Sequence, residues 1–215
     1  MGEGGAVVTN NPLIHRSIRQ FRDLGRDCWC DTGYDNTCGK RYGWKMGNLP
    51  TGYDHKYIYS QIGFNLKLTD FQAAIGVAQL KKLPSFIKKR KNNFQKLVNI
   101  FAKYDKYFQI VSISPNIDPC WFGFPVIVYN NALFTRNQLT EYLEKHKVGT
   151  RNIFSGNLLK HPAYKNINYR LIGKMVNADI IMNQAFWLGI YPGIREKHIS
   201  YIRNTIDTFI QIFKK

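Results

Sequence analysis

The chain is poor in acid: 14 aspartates and glutamates stand against 31 lysines and arginines in 215 residues, a formal charge of +17. Such a balance suits nucleic acid, acidic membranes or phosphorylated substrates. No recognised nucleic-acid motif accompanies it, and the densest run, Lys88-Lys89-Arg90-Lys91, reads as a solvated helix face, so no nucleic-acid partner is expected. Long apolar runs are missing as well. No stretch of about 18 apolar residues without a charge occurs, and the run Cys120 to Tyr129 has only strand length, which argues against a membrane span. The opening Met1-Gly2-Glu3-Gly4-Gly5-Ala6-Val7-Val8 lacks the basic start, apolar centre and cleavage site of a secretory signal, leaving a cytoplasmic location as the default expectation. Cysteine is scarce too. Four cysteines are too few for a disulfide framework in a chain of this size, and in a reducing compartment clustered thiols point to metal or redox work.

What is present is enough apolar material, 44% hydrophobic and 14% aromatic residues, to bury a core of one domain or slightly more. Gly4 to Thr9 reads as a short buried strand. Asn11-Pro12 can start a helix through Ile14, Ile18, Phe21 and Leu24, ended by Gly25. From Arg26 to Asn65 no period holds, and a loop of this length inside a compact domain is functional or is organised by something other than a core, such as a metal. A long helix is predicted from Thr69 or Asp70 through Leu80, with Pro84 breaking or kinking it before a second stretch from Ser85 to Ala102. Beyond it, Phe108 to Ile113 and Trp121 to Tyr129 read as strands and Thr135 to His146 as a helix capped by Thr135. Gly149 to Ile153 reads as a short strand, and Tyr169 to Met182 and Glu196 to Phe213 as helices. The order helix, strand, strand, helix, strand, helix, helix suits a small α/β domain on the end of a larger one.

Cys28-Trp29-Cys30 followed by Cys38 makes C-x-C-x7-C inside the irregular loop. Two thiolates one residue apart can reach one soft metal centre, and a third after a short turn completes most of a four-sulfur shell. Cys120 is the only other cysteine; it lies far off beside Trp121 and Phe122, where a small buried hydrophobe is the simpler reading. Zinc and metal-free thiols stay open on the pattern alone, although the usual C-x2-C spacing of zinc sites is absent.

The words around the cysteines narrow this. Gly2-Glu3-Gly4-Gly5-Ala6-Val7-Val8, Phe21-Arg22-Asp23-Leu24-Gly25-Arg26-Asp27-Cys28-Trp29-Cys30 and Asp35-Asn36-Thr37-Cys38-Gly39-Lys40-Arg41 together resemble the CDP-4-keto-6-deoxyglucose 3-dehydrase family. That family belongs to the sugar aminotransferase group of the aspartate-aminotransferase-like fold. The resemblance continues through Gly52-Tyr53-Asp54-His55-Lys56-Tyr57, Gly63-Phe64-Asn65-Leu66-Lys67, Asp70 to Gly76, Arg151 to Pro162 and Phe186 to Gly193. It implies an α/β fold made of the end of a large pyridoxal-phosphate-binding domain with its cluster loop (1–68), a connecting helix (69–102) and a small C-terminal α/β domain (103–215).

The resemblance further implies a pyridoxamine-phosphate-dependent 3-deoxygenation of a CDP-linked keto-deoxysugar, within deoxysugar and O-antigen biosynthesis. A [2Fe-2S] cluster passes electrons from a reductase partner, and the family is homodimeric. Cys28, Cys30 and Cys38 match three of the four cluster ligands, with Trp29 shielding them. Asn65 matches the asparagine that reaches the cofactor phosphate of the neighbouring subunit, Lys67 adds charge there, and Arg151 matches a position that can pair with substrate diphosphate. Asn157 and His161 lie in the same matching stretch, and no role is assigned to His55 or Tyr57. The fourth cluster ligand, the ring-binding groups and the catalytic histidine match positions upstream of Met1. The chain alone is therefore expected to be inactive unless a separately encoded N-terminal half is supplied. The alternatives are a fragment of a plain nucleotide-sugar aminotransferase and a non-catalytic metal-binding or interaction remnant.

Overall fold

In a computed structural model, which describes residues 4–31 and 33–214, the chain divides into two units, Met1–Lys81 and Lys82–Lys215. In the first, helix α1 (Pro12–Arg22) starts where Asn11 caps it: the side-chain oxygen accepts from the backbone N–H of Leu13 at 2.9 Å and of Ile14 at 3.3 Å. Pro12 sits in the first turn, where a missing N–H costs nothing. Past the helix, the segment around Phe64 lies against its exit. Leu24 N–H donates to Phe64 O, Phe64 N–H to Phe21 O, and Leu66 N–H to Arg22 O, at 2.7–2.9 Å. The two backbones cross at Gly25 and Gly63. A Cβ on Gly63 would lie 2.2 Å from the Gly25 nitrogen, and one on Gly25 would lie 1.8 Å from the Gln61 oxygen, at a φ of +86°.

Very little apolar surface is buried in this unit. Among its described residues the buried side chains are Asp27, His55 and Ile58, and α1 buries none of its own, leaving Leu13, Ile14 and Phe21 exposed. Residues 4–9 form no strand: they are mostly exposed and without the ladder partners that a buried strand needs, which corrects the reading of Gly4 to Thr9.

Helix α2 (Asp70–Phe101) begins in the first unit's residues and ends in the second's, and of the break or kink expected at Pro84 no break occurs. Proline removes one hydrogen bond to Leu80 but keeps a helical φ, and the 32 residues of the helix supply enough other bonds to carry it across. Its C-terminal half belongs to the second unit, where Phe94, Leu97 and Phe101 recur at helical spacing on a buried face.

The second unit is a four-stranded sheet with helices. Strands β1 (Phe108–Ile110), β2 (Gly123–Val128), β3 (Thr150–Arg151) and β4 (Ala185–Gly189) pair antiparallel throughout, in the order β1-β2-β4-β3. Along β2, Phe124, Val126 and Val128 alternate into the core. Helix α3 (Arg136–Lys145) is capped as expected by Thr135, in a reciprocal box with Gln138. Helix α4 (Val176–Gln184) leads straight into β4, and helix α5 (Glu196–Ile212) adds Ile199, Ile206, Phe209 and Ile210 to the core. β4 is the strand that periodicity missed: Ala185-Phe186-Trp187-Leu188-Gly189 is a short apolar run directly after a helix, with no turn residue to separate them.

One member of the basic run is not solvated. Arg90 donates from Nη1 to the carbonyls of Trp121 at 3.0 Å and Ile190 at 2.9 Å, tying α2 to one end of the sheet's central pair, where β2 begins and β4 finishes. Its neighbour Lys91 pairs with Asp118, as an exposed lysine would. Among the described residues no helix is long and apolar enough to cross a membrane.

Candidate functional site

The irregular stretch of the first unit gathers its chemistry around the cysteines. Cys28, Cys30 and His55 present ligand atoms within 4.8 Å of one another. His55 Nε2 lies 3.1 Å from Cys38 Sγ and 4.0 Å from Cys30 Sγ. Thus the C-x-C-x7-C thiols converge, and with them a histidine to which local sequence reasoning assigned no role. Residues 36–41 form the tight turn that returns Cys38: Asn36 accepts from the Arg41 N–H through its side chain at 3.0 Å and from the Gly39 N–H through its carbonyl at 2.9 Å. His55 begins a 3₁₀ turn (His55–Tyr57) whose preceding residue, Asp54, accepts from the Lys56 N–H. The Arg41 guanidinium donates from Nε to Asp54 at 2.8 Å, and the His55 N–H donates to the Arg41 carbonyl at 3.0 Å, so the two loop arms are joined twice.

Two tryptophans flank the thiols. Trp44 stacks on the His55 ring at 4.5 Å and meets Trp29 at 4.7 Å. Trp29 is itself 42% exposed, so the cover expected of it falls in part to Trp44. The Thr37 hydroxyl, together with the Cys38 N–H and the neighbouring thiols, outweighs burial and holds the Cys30 thiol down at about 7. Burial pushes the Cys28 thiol up, assisted by its hydrogen bond with Cys30. Cys120 is exposed and sits in the other unit, not in a core, because it precedes β2 on an irregular approach.

The residues expected to meet a cofactor phosphate lie on the segment that crosses α1's exit. Asn65 is exposed, and its backbone bridges to Asp23. Lys67 Nζ lies 2.9 Å from Asp23 Oδ1, so its charge is shared with a carboxylate. Burial pushes the Asp23 carboxyl up, but the hydrogen bonds from Arg26 and Lys67 bring it below its ordinary value. A folded-state value below the unfolded one gives stability that is present above the ordinary carboxylate range and lost as pH falls through the folded value. Amide protection of Leu24, Phe64 and Leu66, measured by NMR hydrogen exchange against intrinsic rates, should therefore weaken below about pH 4. In Asp23→Asn it should be weak and flat across that window.

In the second unit Arg151 is exposed, donates to the Thr150 carbonyl, and lines a cleft of about 570 Å³ with Arg90, Lys147, Trp187, Tyr191 and Tyr201. Apolar walls carrying a few cationic groups suit a ligand with a ring and an anionic end. Asn157 is buried, and its amide is committed to protein groups: Oδ1 accepts from Leu159 N–H and Nδ2 donates to Asp179 of α4. His161 donates to the Ser155 carbonyl.

Comparison with known proteins identifies the fold that holds these groups. The DegT/DnrJ/EryC1/StrS aminotransferase family matches residues 1–207. The chain belongs to this family. It is 46% identical over 209 residues to the lipopolysaccharide biosynthesis protein RfbH of Salmonella typhimurium, covering 97% of this chain and 48% of that protein. It is 43% identical to the dTDP-4-dehydro-2,6-dideoxy-D-glucose 3-dehydratase of Saccharopolyspora spinosa, covering 97% of this chain and 45% of that enzyme. The solved E. coli GDP-4-keto-6-deoxy-D-mannose-3-dehydratase with bound hydrated PLP superposes with a TM-score of 0.73 at 25% identity, over 92% of this chain and 48% of that one. An aminotransferase from Psychrobacter cryohalolentis shares the fold alone, with a TM-score of 0.75 at 17% identity, over 96% of this chain and 51% of that one. The chain spans about half the length of the relatives it matches. Its mixed α/β fold is that of the PLP-dependent sugar aminotransferases and dehydratases, as expected.

For the cofactors of such a family the chain offers unequal sets of groups. Cys28, Cys30 and His55 gather within 4.8 Å, with Cys38 Sγ at 3.1 Å from His55 Nε2, a set of soft donors of the type that holds a thiophilic metal centre. For a pyridoxal phosphate the residues expected from the resemblance, Asn65 and Lys67, are both exposed on one segment.

Proposed function

We propose that this chain is the C-terminal portion of a pyridoxamine-phosphate-dependent nucleotide-sugar 3-dehydratase of the CDP-4-keto-6-deoxyglucose type, acting in deoxysugar biosynthesis and carrying a [2Fe-2S] centre. The observation that carries this reading is the convergence of Cys28, Cys30 and Cys38 in a chain related to both a lipopolysaccharide biosynthesis protein and a sugar 3-dehydratase. A transaminase has no need of thiolates, whereas removal of a sugar hydroxyl needs an electron source. Replacing C–OH by C–H takes up two electrons and two protons and releases water, with a reductase partner as the donor.

In this reading Cys28, Cys30 and Cys38 hold the cluster in the first unit, and the Trp29–Trp44 pair limits water around it. Asn65 donates to the cofactor phosphate, with Lys67, paired to Asp23, beside it. Arg151 and Lys147 pair with the diphosphate of the sugar nucleotide in the cleft of the second unit, while Trp187 and Tyr201 offer apolar faces. When bound, the cofactor supplies an electron sink and the cluster supplies single electrons.

The test is complementation. The chain is mixed with a polypeptide that supplies the large domain of a 3-dehydratase, loaded with pyridoxamine phosphate, iron and sulfide, and given a one-electron reductant and CDP-4-keto-6-deoxyglucose. Mass spectrometry should find a product one oxygen lighter, and neither polypeptide should form it alone. Formation of an amino sugar from glutamate, with no deoxygenation, would assign the chain to the aminotransferases instead.

A further inference from the structure

We propose that His55 is a positioning residue for electron transfer: its Nε2–H donates to the Sγ of Cys38 and, through that sulfur, raises the reduction potential of the iron–sulfur centre on the cysteine loop. The inference rests on the reading above for the centre itself. It leaves ligation to cysteine thiolates, and His55 binds no iron in it.

Three observations carry it. The first is where the ring nitrogen lies. Nε2 is 3.1 Å from Cys38 Sγ and 4.0 Å from Cys30 Sγ. A metal-bound thiolate has no proton to give and keeps lone pairs on its sulfur. A bare Nε2 lone pair at 3.1 Å would be repelled by it, whereas an Nε2–H finds a charged acceptor. The ring is therefore a donor to Cys38.

The second is that the ring is held. His55 is 1% exposed, Trp44 stacks on it at 4.5 Å, and its backbone N–H donates to the Arg41 carbonyl at 3.0 Å, beside the Arg41–Asp54 pair. Its Nδ1 has no hydrogen-bond partner among the described residues, so no bond on the far side of the ring competes with the sulfur. In such a water-poor pocket a hydrogen bond is electrostatically stronger than in water.

The third is the company it keeps. The Lys40 N–H lies 3.4 Å from Cys38 Sγ, and the Thr37 hydroxyl and the Cys38 N–H serve Cys30. Those donors belong to the turn that carries the cysteines and come with it. His55 reaches in from a separate 3₁₀ turn and adds a side-chain donor to a sulfur that the turn serves only at 3.4 Å. Reduction adds one electron, and part of that charge falls on the ligating sulfurs. A donor aimed at a sulfur therefore stabilises the reduced state more than the oxidised one, which is how hydrogen bonds to sulfur set the potentials of such centres.

Redox titration of the loaded chain tests this. The chain is loaded anaerobically with iron and sulfide in excess mercaptoethanol, which supplies a further thiolate, then titrated with dithionite and mediators while EPR follows the reduced spin. His55→Phe keeps an aromatic ring against Trp44 but has no N–H. At the wild-type midpoint its oxidised-to-reduced ratio should rise on the order of tenfold, with iron and sulfide content unchanged. His55→Gln, whose amide reaches the place of Nε2, should hold the ratio near the wild-type value. Pulsed EPR of the reduced wild type needs no variant, and it should show a weakly coupled nitrogen with an exchangeable proton. Equal ratios in wild type and His55→Phe, or a nitrogen coupled strongly enough to be an iron ligand, would overturn the proposal while leaving the centre in place. Failure of the wild type to hold any centre would overturn the underlying reading as well, so the two failures are told apart.

Discussion

Cys30→Ser is expected to reduce bound cluster from about one per chain to near zero, the largest effect of any single substitution in the first unit. Cys30 is central among the thiols: it exchanges hydrogen bonds with both Cys28 and Cys38, and its sulfur faces His55 at 4.0 Å. Serine has nearly the same shape but a hard oxygen that does not ionise near neutral pH, so the site loses both a soft ligand and a negative charge. The measurement is iron and sulfide content by elemental analysis after anaerobic loading with iron and sulfide. The second unit's thermal transition serves as the control and should not move. Retention of full metal content in the variant would show that the cysteine triplet is not the binding site.

Phe124→Ala should destabilise the second unit by about 3–5 kcal/mol, a large share of the 5–15 kcal/mol by which domains are ordinarily stable. Phe124 is fully buried in β2 and meets Phe94 and Phe101 of α2, each with ring centroids 5.2 Å away. Truncation removes the ring's transfer free energy and leaves a cavity between sheet and helix that neighbours held in β-ladders and a helix cannot readily close. Chemical denaturation followed by circular dichroism should show an earlier midpoint with little change in slope. Metal uptake by the cysteine loop should persist. A loss below about 1 kcal/mol would mean that the helix and sheet do not pack as described.

Much of the second unit was legible in local pattern because its elements carry their own signals. Thr135 with Gln138 marks a helix start, the alternation of Phe124, Val126 and Val128 marks a half-buried strand, and Ile199, Ile206 and Phe209 mark a helix face. The failures share a cause. Periodicity reads one segment at a time, whereas β4 becomes a strand only by pairing with β2 and β3, and residues 4–9, with comparable β-propensity, remain unpaired among the described residues. Arg90 looked like one more solvated lysine-type charge until two distant carbonyls were seen to accept from it. At the other extreme, the exposed Leu13, Ile14 and Phe21 show that an apolar stripe on a helix predicts the helix but not its burial.

The candidate site divides along the same line. Sequence alone showed that Cys28, Cys30 and Cys38 are spaced closely enough to reach one centre, since a single residue separates the first two and a short turn can return the third. It also carried the family, through words spread from Gly2 to Gly193, and the chain's membership bears that out at the level of the group. Only the tertiary structure decided that His55, 17 residues after Cys38, turns its ring onto the same sulfurs. That placement depends on the Arg41–Asp54 pair, the His55–Arg41 backbone bond and the Trp44 stack. These are contacts between residues that no helical or strand period relates, and a loop without a period exposes its contacts only once it is folded.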